Sequence, residues 1–264
     1  MLQFVLRRLL AVLPVLLVVS LVVFLILRLA PGDPAAVIAG NSATNEEIDR
    51  IRQQLGLDGS ILSQYFIWIG RVFQGDLGYS YYLSKPVTEL IAQRIEPTLS
   101  LAVGTLLLAI AVAIPLGTIA AWRMGGWLDK ILSGFSVAGF SVPVFVVGYL
   151  LIYLFAIRLE WLPVQGYIRI GVNFWGFLER MILPSLTLSV GFIALISRIT
   201  RASVLEVLNE DYVRTARAKG LAPRAVLYGH ALRNALLPVV TVVGGHVGTL
   251  LAGTSITVGQ QTTV

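Results

Sequence analysis

Apolar residues dominate five stretches of the chain, separated by segments rich in polar and charged residues. The stretches lie at residues 9–27, 99–121, 131–157, 182–199 and 237–256. About 20 consecutive apolar residues in a helix cross the roughly 30 Å of hydrocarbon in a bilayer. A helix also satisfies its backbone hydrogen bonds internally, as lipid requires. The pattern therefore predicts an all-α, polytopic helical membrane protein with five spans.

Small residues and prolines inside these stretches predict how the spans pack and bend. Small side chains let helix backbones approach closely. The candidates for such contacts are Gly134, Ala138, Gly244, Gly245 and Gly248. A proline removes one backbone hydrogen bond and bends its helix. Kinks are therefore expected at Pro14, Pro115 and Pro143.

Composition and charge support a membrane protein and set its orientation. Only 13% of the residues are charged, which is low for a soluble domain, and the net charge of +6 comes without the basic and aromatic pattern of a nucleic-acid module. Basic residues gather at Arg7 and Arg8, in the 122–131 loop and in the 200–236 loop. The positive-inside rule places the N-terminus and both loops in the cytoplasm. Residues 1–30 are expected to form an uncleaved transmembrane helix, because their apolar run is longer than that of a signal peptide.

The segment at residues 31–97 is too polar to span a membrane and too long for a simple turn. Thr44 and Glu47 form a Thr-x-x-Glu capping box that starts a helix, and Gly56 supplies its end. A second helix is predicted over residues 61–73, which carry apolar and aromatic side chains. We expect an external, periplasmic helical extension here, followed by a transmembrane core over the remaining residues, 98–264.

A segment between the fourth and fifth spans predicts a rigid element that protrudes into the cytoplasm. Acidic Glu210 and Asp211 come first and basic residues come last, an order that suits the helix dipole. Gly220 can adopt the left-handed conformation that ends a helix. Pro223 can open a second short helix, since its missing N–H costs nothing there. That second helix is expected to run to Pro238.

The same segment has the features of a docking element for another protein. Ala216 and Ala218 favour a helix and have little bulk, so a partner surface can approach closely. The alternative is that the basic residues only obey the positive-inside rule or contact anionic lipid. That alternative explains the charges but not the full pattern from Tyr212 to Pro238. We therefore interpret the segment as a docking element.

The amino-acid sequence of this segment resembles that of a known family. Residues 211–221 are Asp-Tyr-Val-Arg-Thr-Ala-Arg-Ala-Lys-Gly-Leu, and residues 230–238 are His-Ala-Leu-Arg-Asn-Ala-Leu-Leu-Pro. This resembles the EAA loop of ABC transporter permease subunits, in the dipeptide/oligopeptide/nickel importer family (dipeptide permease B and oligopeptide permease B type). The generic Glu-Ala-Ala of that loop is Arg-Thr-Ala at residues 214–216. The extension carries further resemblances at residues 31–34, Pro-Gly-Asp-Pro, and at residues 75–78, Gly-Asp-Leu-Gly.

The resemblance implies a membrane-spanning permease subunit of an ATP-driven ABC importer, which translocates di- and oligopeptides delivered by an external substrate-binding protein. It implies a second homologous permease subunit and two ABC ATPase subunits as partners, in the lipid bilayer of the cytoplasmic (inner) membrane. ATP and Mg would be bound in the ATPase subunits, with no cofactor in this chain. The coupling loop would lie at residues 203–236. Its implied ATPase-coupling residues are Glu210, Asp211, Tyr212, Arg214, Thr215, Ala216, Arg217, Ala218, Lys219, Gly220, Leu221 and Arg233. The implied contacts with the binding protein are Gly75, Asp76, Leu77 and Gly78.

The sequence lacks the motifs of a nucleotide-binding, metal-binding or catalytic site, which narrows the functions it can have. The lysines are Lys85, Lys130 and Lys219, and none follows a glycine as a P-loop requires. Without cysteine there is no thiolate metal site, and no catalytic constellation lies in the spans. The sequence therefore predicts neither an enzyme, a metal site nor a nucleic-acid partner.

Three questions stay open at the level of the sequence. Import of a nickel–chelator complex, glutathione or an opine would use the same architecture, and the substrate-binding residues are unknown. A membrane scaffold or channel without ATP coupling is the alternative from another class. The sixth span of the family is expected to be absent, and whether it is missing by nature or by truncation of the chain is the third open question.

Overall fold

The chain divides into two compact units, residues 1–91 and 92–264. The structure is a computed structural model that describes residues 2–29, 32–40, 43–80 and 83–261. In the first unit, the long helix α1 (Leu2–Leu29) contains Pro14 and exposes most of its apolar side chains. A helix of this length with exposed apolar side chains is typical of a segment that lies in lipid.

Three further helices of the first unit are α2 (Pro34–Ala39), α3 (Asn45–Gln54) and α4 (Ile61–Phe73). The predicted capping box is confirmed, because the Glu47 N–H donates to Thr44 Oγ1 over 3.4 Å and the Thr44 N–H donates to Glu47 Oε2 over 2.9 Å. Gly56 has a φ of +68°, the left-handed conformation expected where a helix ends. The predicted helix at 61–73 has the same bounds as α4.

The helix α2 was not predicted from the sequence. Asp33 caps it by accepting a hydrogen bond of 3.0 Å from the Ala35 N–H. Asp33 also forms an ion pair with Arg52 of α3, whose hydrogen bond lowers the pKa of the Asp33 carboxyl from its ordinary value. Because folding lowers this pKa, the pair contributes to stability at neutral pH and the contribution is lost as the pH falls through the lowered value.

Aromatic side chains hold α4 against α1. Phe24 of α1 is 4% exposed and packs against the rings of Tyr65 and Trp68, at centroid distances of 5.4 and 5.8 Å. The Tyr65 hydroxyl lies 2.8 Å from Ser20 Oγ of α1. After α4, the two-residue strands β1 (Tyr79–Ser80) and β2 (Lys85–Pro86) pair antiparallel, with Tyr79 opposite Pro86. The first unit is therefore a long apolar helix with a folded extension attached to it.

The second unit is helical and is built around one central helix. Its elements are α5 (Val87–Trp122, whose first turn belongs to the first unit), α6 (Trp127–Ser141), α7 (Val144–Leu151), a π-helical segment (Ile152–Arg158), α8 (Phe174–Leu208), α9 (Asp211–Ala218), α10 (Pro223–Ala225), a second π-helical segment (Val226–Ala231) and α11 (Leu232–Gln261). Buried Ala109 and Ala113 of α5 pack with Ile193 and Ile196 of α8 and Val239 of α11. Helix α8 thus lies at the centre of the core.

The number of spans agrees with the prediction, although the third span differs from it. Four described helices are long and apolar enough to cross a membrane, and a bent pair makes up to five. The kink expected at Pro143 is confirmed, and it is so large that the predicted third span at 131–157 is not one continuous helix. It breaks between α6 and α7, with a bend of 108°, because Pro143 disfavours helical backbone at Val142, which has φ −86° and ψ 122°.

The predicted glycines are not those that allow close helix contact. A Cβ atom built on Gly134, Gly244, Gly245 or Gly248 would meet no described atom within 4 Å. Among the described residues, the glycines of one helix that closely approach another helix all face α8. They are Gly104 and Gly117 of α5, Gly139 of α6 and Gly148 of α7. Glycine composition alone could not identify these positions, since the contact depends on which face of each helix meets α8.

The predicted short helix from Pro223 to Pro238 is wrong at its C-terminal end. Helix α10 continues through the second π-helical segment into α11, and Pro238 lies inside α11. A membrane helix tolerates an internal proline when its surroundings repair the backbone. The loop therefore has no separate second helix, and the fifth predicted span begins within it. The expectation of a missing sixth span concerns the chain beyond α11, where residues 262–264 lie outside the described residues.

Candidate coupling surface

Helix α9 ends with a complete Schellman motif at the predicted glycine. Gly220 has a φ of +79°, and its N–H donates to the Arg217 carbonyl over 3.0 Å. The Leu221 N–H donates to the Ala216 carbonyl over 3.4 Å. These are the two bonds of the motif, which satisfies carbonyls that a helix end otherwise leaves free. The turn after α9 is therefore fixed by backbone geometry.

One face of α9 is buried within the chain. Val213 is fully buried and Ala216 is 6% exposed, and both pack with fully buried Val226 of the second π-helical segment. Val207 and Leu208 at the end of α8 complete the cluster. The expectation that Ala216 lets a partner approach closely is therefore wrong, because its small side chain is enclosed by its own chain.

A side-chain hydrogen bond ties the exposed face of α9 to α11. The Asn234 amide nitrogen lies 2.8 Å from the hydroxyl of Tyr212, which is 40% exposed. The two residues are 22 positions apart and belong to the two arms of the loop. With the buried cluster on the other side, this bond fixes the orientation of α9 about its own axis.

Tyr212→Phe is expected to loosen α9 without detaching it. The lost hydrogen bond is worth about 0.5–1.5 kcal/mol, so amide hydrogen exchange in α9 should rise up to roughly tenfold. Tyr228→Phe is the matched control, because Tyr228 is exposed on the same loop and is 58% exposed. Equal exchange in both variants would contradict a positioning role for the Tyr212–Asn234 bond.

Most of the predicted coupling residues are exposed, and we call this exposed set the coupling surface. Glu210 lies at the N-cap position without a side-chain cap, and Asp211 opens the helix and pairs with Arg214 at 3.4 Å. Arg233 is exposed in the first turn of α11. The exposed predicted residues are Glu210, Asp211, Tyr212, Arg214, Thr215, Arg217, Ala218, Lys219, Gly220, Leu221 and Arg233. The surface is therefore basic, with its acidic groups at the N-terminal end of α9.

The four residues predicted to contact a binding protein form a turn after α4. Gly75 and Gly78 have φ values of +83° and +88°, conformations that favour glycine. Asp76 Oδ1 accepts a hydrogen bond of 2.9 Å from the Gly78 N–H. Leu77 is 37% exposed. Three of the four residues thus build the turn, and Leu77 is presented at its surface.

The sequence analysis missed three residues that position the coupling surface: Val213, Val226 and Asn234. The spacing of Val213 and Ala216 is the i, i+3 pattern of one helical face, which would have identified the buried side of α9. Val226 and Asn234 belong to an arm that folds back onto α9. No local pattern indicates such a pairing across the turn.

Comparison with known proteins agrees with this architecture. A family model described as the binding-protein-dependent transport system inner membrane component matches residues 113–258, and a model of the N-terminal part of such membrane components matches residues 1–102. A probable peptide ABC transporter permease protein from Sinorhizobium fredii is 49% identical over 254 residues, which cover 96% of this chain and 81% of that protein. The glutathione transport system permease protein GsiC from Escherichia coli is 44% identical over 253 residues, which cover 96% of this chain and 80% of that protein.

Proposed function

Because this chain belongs to the family of binding-protein-dependent transport system inner membrane components, as an ABC transporter permease of the dipeptide and oligopeptide type, we propose that it imports di- and oligopeptides. It is a multi-pass membrane subunit of a larger transporter and not its catalytic subunit. The proposal extends this to an inner-membrane complex with a second permease subunit and two ATPase subunits. ATP and Mg belong to the ATPase subunits, and an external binding protein delivers the substrate.

The orientation of the coupling surface carries the proposal. Helix α9 has one face buried against α8 and the second π-helical segment, and its other face is basic and exposed. A helix anchored in this way can pass a displacement to the spans on both sides, whereas a loosely attached loop would absorb it. Nucleotide binding in an attached ATPase can then shift the balance between two arrangements of the spans. A scaffold or ungated channel has no need of such an element.

Arg217→Glu is expected to weaken the association with the ATPase subunits while insertion into the membrane stays normal. Arg217 is exposed near the end of α9, so reversing its charge changes the surface and leaves the buried cluster intact. We expect at least a tenfold loss of ATPase subunits that co-purify with the solubilised chain. Arg123→Glu is the matched control, since Arg123 is an exposed arginine in the other predicted cytoplasmic loop. Normal ATPase recovery with Arg217→Glu would refute coupling through this surface, and failed insertion would show that Arg217 acts on topology instead.

The two relatives give two candidate substrates within one chemical class. One is named for peptides and the other for glutathione, which is itself a short peptide. We propose short peptides as the substrate class and glutathione as the second candidate. The test is uptake of labelled dipeptides, a labelled pentapeptide, labelled glutathione, a nickel–chelator complex and a labelled opine by the complete complex with its cognate binding protein. Uptake of glutathione alone would favour the second candidate, and uptake of a nickel–chelator complex or an opine without any peptide would reject the class.

A further inference from the structure

A partly buried ion pair joins α6 to α8 near the end of α8 that leads to α9. Asp129 accepts hydrogen bonds from Arg201 Nε and, over 2.8 Å, from Arg201 Nη2, so that the guanidinium is bidentate. The Gly125 N–H donates a third bond of 3.0 Å to Asp129 Oδ2. The side chain of Asp129 is 7% exposed, and that of Arg201 is 27% exposed. A carboxylate this well enclosed is stable in its charged form only when it is paired and hydrogen-bonded, and this geometry supplies both.

A second contact fixes α5 to α8 at the same level. An ideal Cβ atom on Gly117 of α5 would lie 2.5 Å from the Ser197 carbonyl oxygen, 2.7 Å from Thr200 Cβ and 3.1 Å from the backbone nitrogen of Arg201. The backbones of α5 and α8 therefore touch beside the residue that holds Asp129. Helix α8 is therefore joined at one level to two helices, to α5 by backbone contact and to α6 by the ion pair.

The position of Arg201 in the chain gives this junction its role. Arg201 lies in α8 seven residues before that helix ends at Leu208, and α9 begins at Asp211. Leu208 belongs to the cluster that anchors α9. A displacement of α9 is therefore delivered to the end of α8 close to the ion pair. Helix α6, the first half of the bent third span, packs against α8, so a displacement of α8 reaches α6 through this contact and through the ion pair.

We propose that the Asp129–Arg201 pair is a positioning element that makes α6 move together with α8 when the ATPase subunits displace α9. This inference rests on the proposed function, since it assigns a role within ATP-coupled transport. The pair acts at a distance from both nucleotide and substrate. Its loss should therefore separate ATP hydrolysis from transport without removing either the ATPase subunits or the substrate path.

The first test measures ATP hydrolysis and peptide uptake in the same proteoliposomes, with the complete complex and its binding protein. For Asp129→Asn we expect the amount of peptide transported per ATP hydrolysed to fall at least fivefold, with ATPase subunits still co-purifying. Lys130→Gln is the matched control, because it removes one charge from an exposed position of the same helical turn. An unchanged ratio in Asp129→Asn would overturn the proposal. Absence of ATP-dependent uptake in the unmodified complex would instead overturn the proposed function.

The second test remains informative if Asp129→Asn reduces the yield of folded complex. The chain has no cysteine, so spin labels can be placed at Lys130→Cys on α6 and at Ala202→Cys on α8, both of which are exposed positions. With the other subunits made cysteine-free, the distance between the labels is measured without nucleotide and with ATP trapped. We expect one distance in both states when Asp129 is present and two distances in Asp129→Asn. A distance that changes with Asp129 present, or stays constant without it, would overturn the proposal.

Discussion

Gly117→Ala is expected to disrupt the packing of the second unit. The added Cβ would lie 2.5 Å from the Ser197 carbonyl oxygen, and a backbone atom inside a central helix cannot move aside as a flexible side chain can. Overpacking in a well-filled core costs about 1–3 kcal/mol. The expected result is a fall of several degrees in the melting temperature of the detergent-solubilised chain, with less monodisperse protein recovered.

Gly134→Ala is the matched control for this change. It adds the same methyl group within a helix of the same unit, but no described atom lies within 4 Å of the new Cβ. Alanine also favours a helix over glycine by up to about 1 kcal/mol. The control is therefore expected to be neutral or stabilising. Equal effects of the two substitutions would contradict the close crossing of α5 and α8.

Val213→Asp is expected to release α9 from the rest of the loop. Val213 is fully buried against Val226, and an uncompensated buried charge costs roughly 3–5 kcal/mol. Detaching the helix lets the carboxylate reach water at a smaller cost than keeping it enclosed. We therefore expect near-complete loss of amide protection in α9 and of ATPase co-purification, while the helices of the core keep their protection.

The measurement is hydrogen exchange followed by mass spectrometry, resolved to peptides covering residues 209–221. Ala222→Asp is the control, since it introduces the same charge at an exposed position just after α9. Aspartate there can also cap α10, for which Ala222 is the N-cap residue. Retained protection of α9 in Val213→Asp would mean that the buried cluster does not hold the helix.

The sequence predicted those parts of the fold that depend on local chemistry. The Thr44 capping box, the bounds of α4 and the end of α9 at Gly220 all follow from interactions within a few residues. The apolar stretches likewise predicted the spans, because lipid imposes the same requirement on every crossing segment.

The remainder depended on how helices meet, which a single sequence does not encode locally. The glycines at the close helix crossings face α8, and this is what distinguishes them from the glycines that the sequence predicted. The small size of Ala216 predicts contact with a partner surface, but the same property lets it pack against the second π-helical segment. The pairing of Asp129 with Arg201 joins residues 72 positions apart, and neither has a sequence pattern that indicates the other.

The continuity of α10, the second π-helical segment and α11 has a consequence for the surrounding lipid. From Pro223 to Gly248 alone, this continuous helix has 26 residues, which at 1.5 Å per residue span about 39 Å. The apolar part of this helix, which starts at Leu237, tilts when it is longer than the hydrocarbon layer, so its tilt varies with bilayer thickness. The end that holds α9 must then change its height and inclination whenever the lipid chains lengthen or shorten. Acyl-chain length in reconstituted vesicles is therefore expected to alter how firmly the proposed ATPase subunits bind.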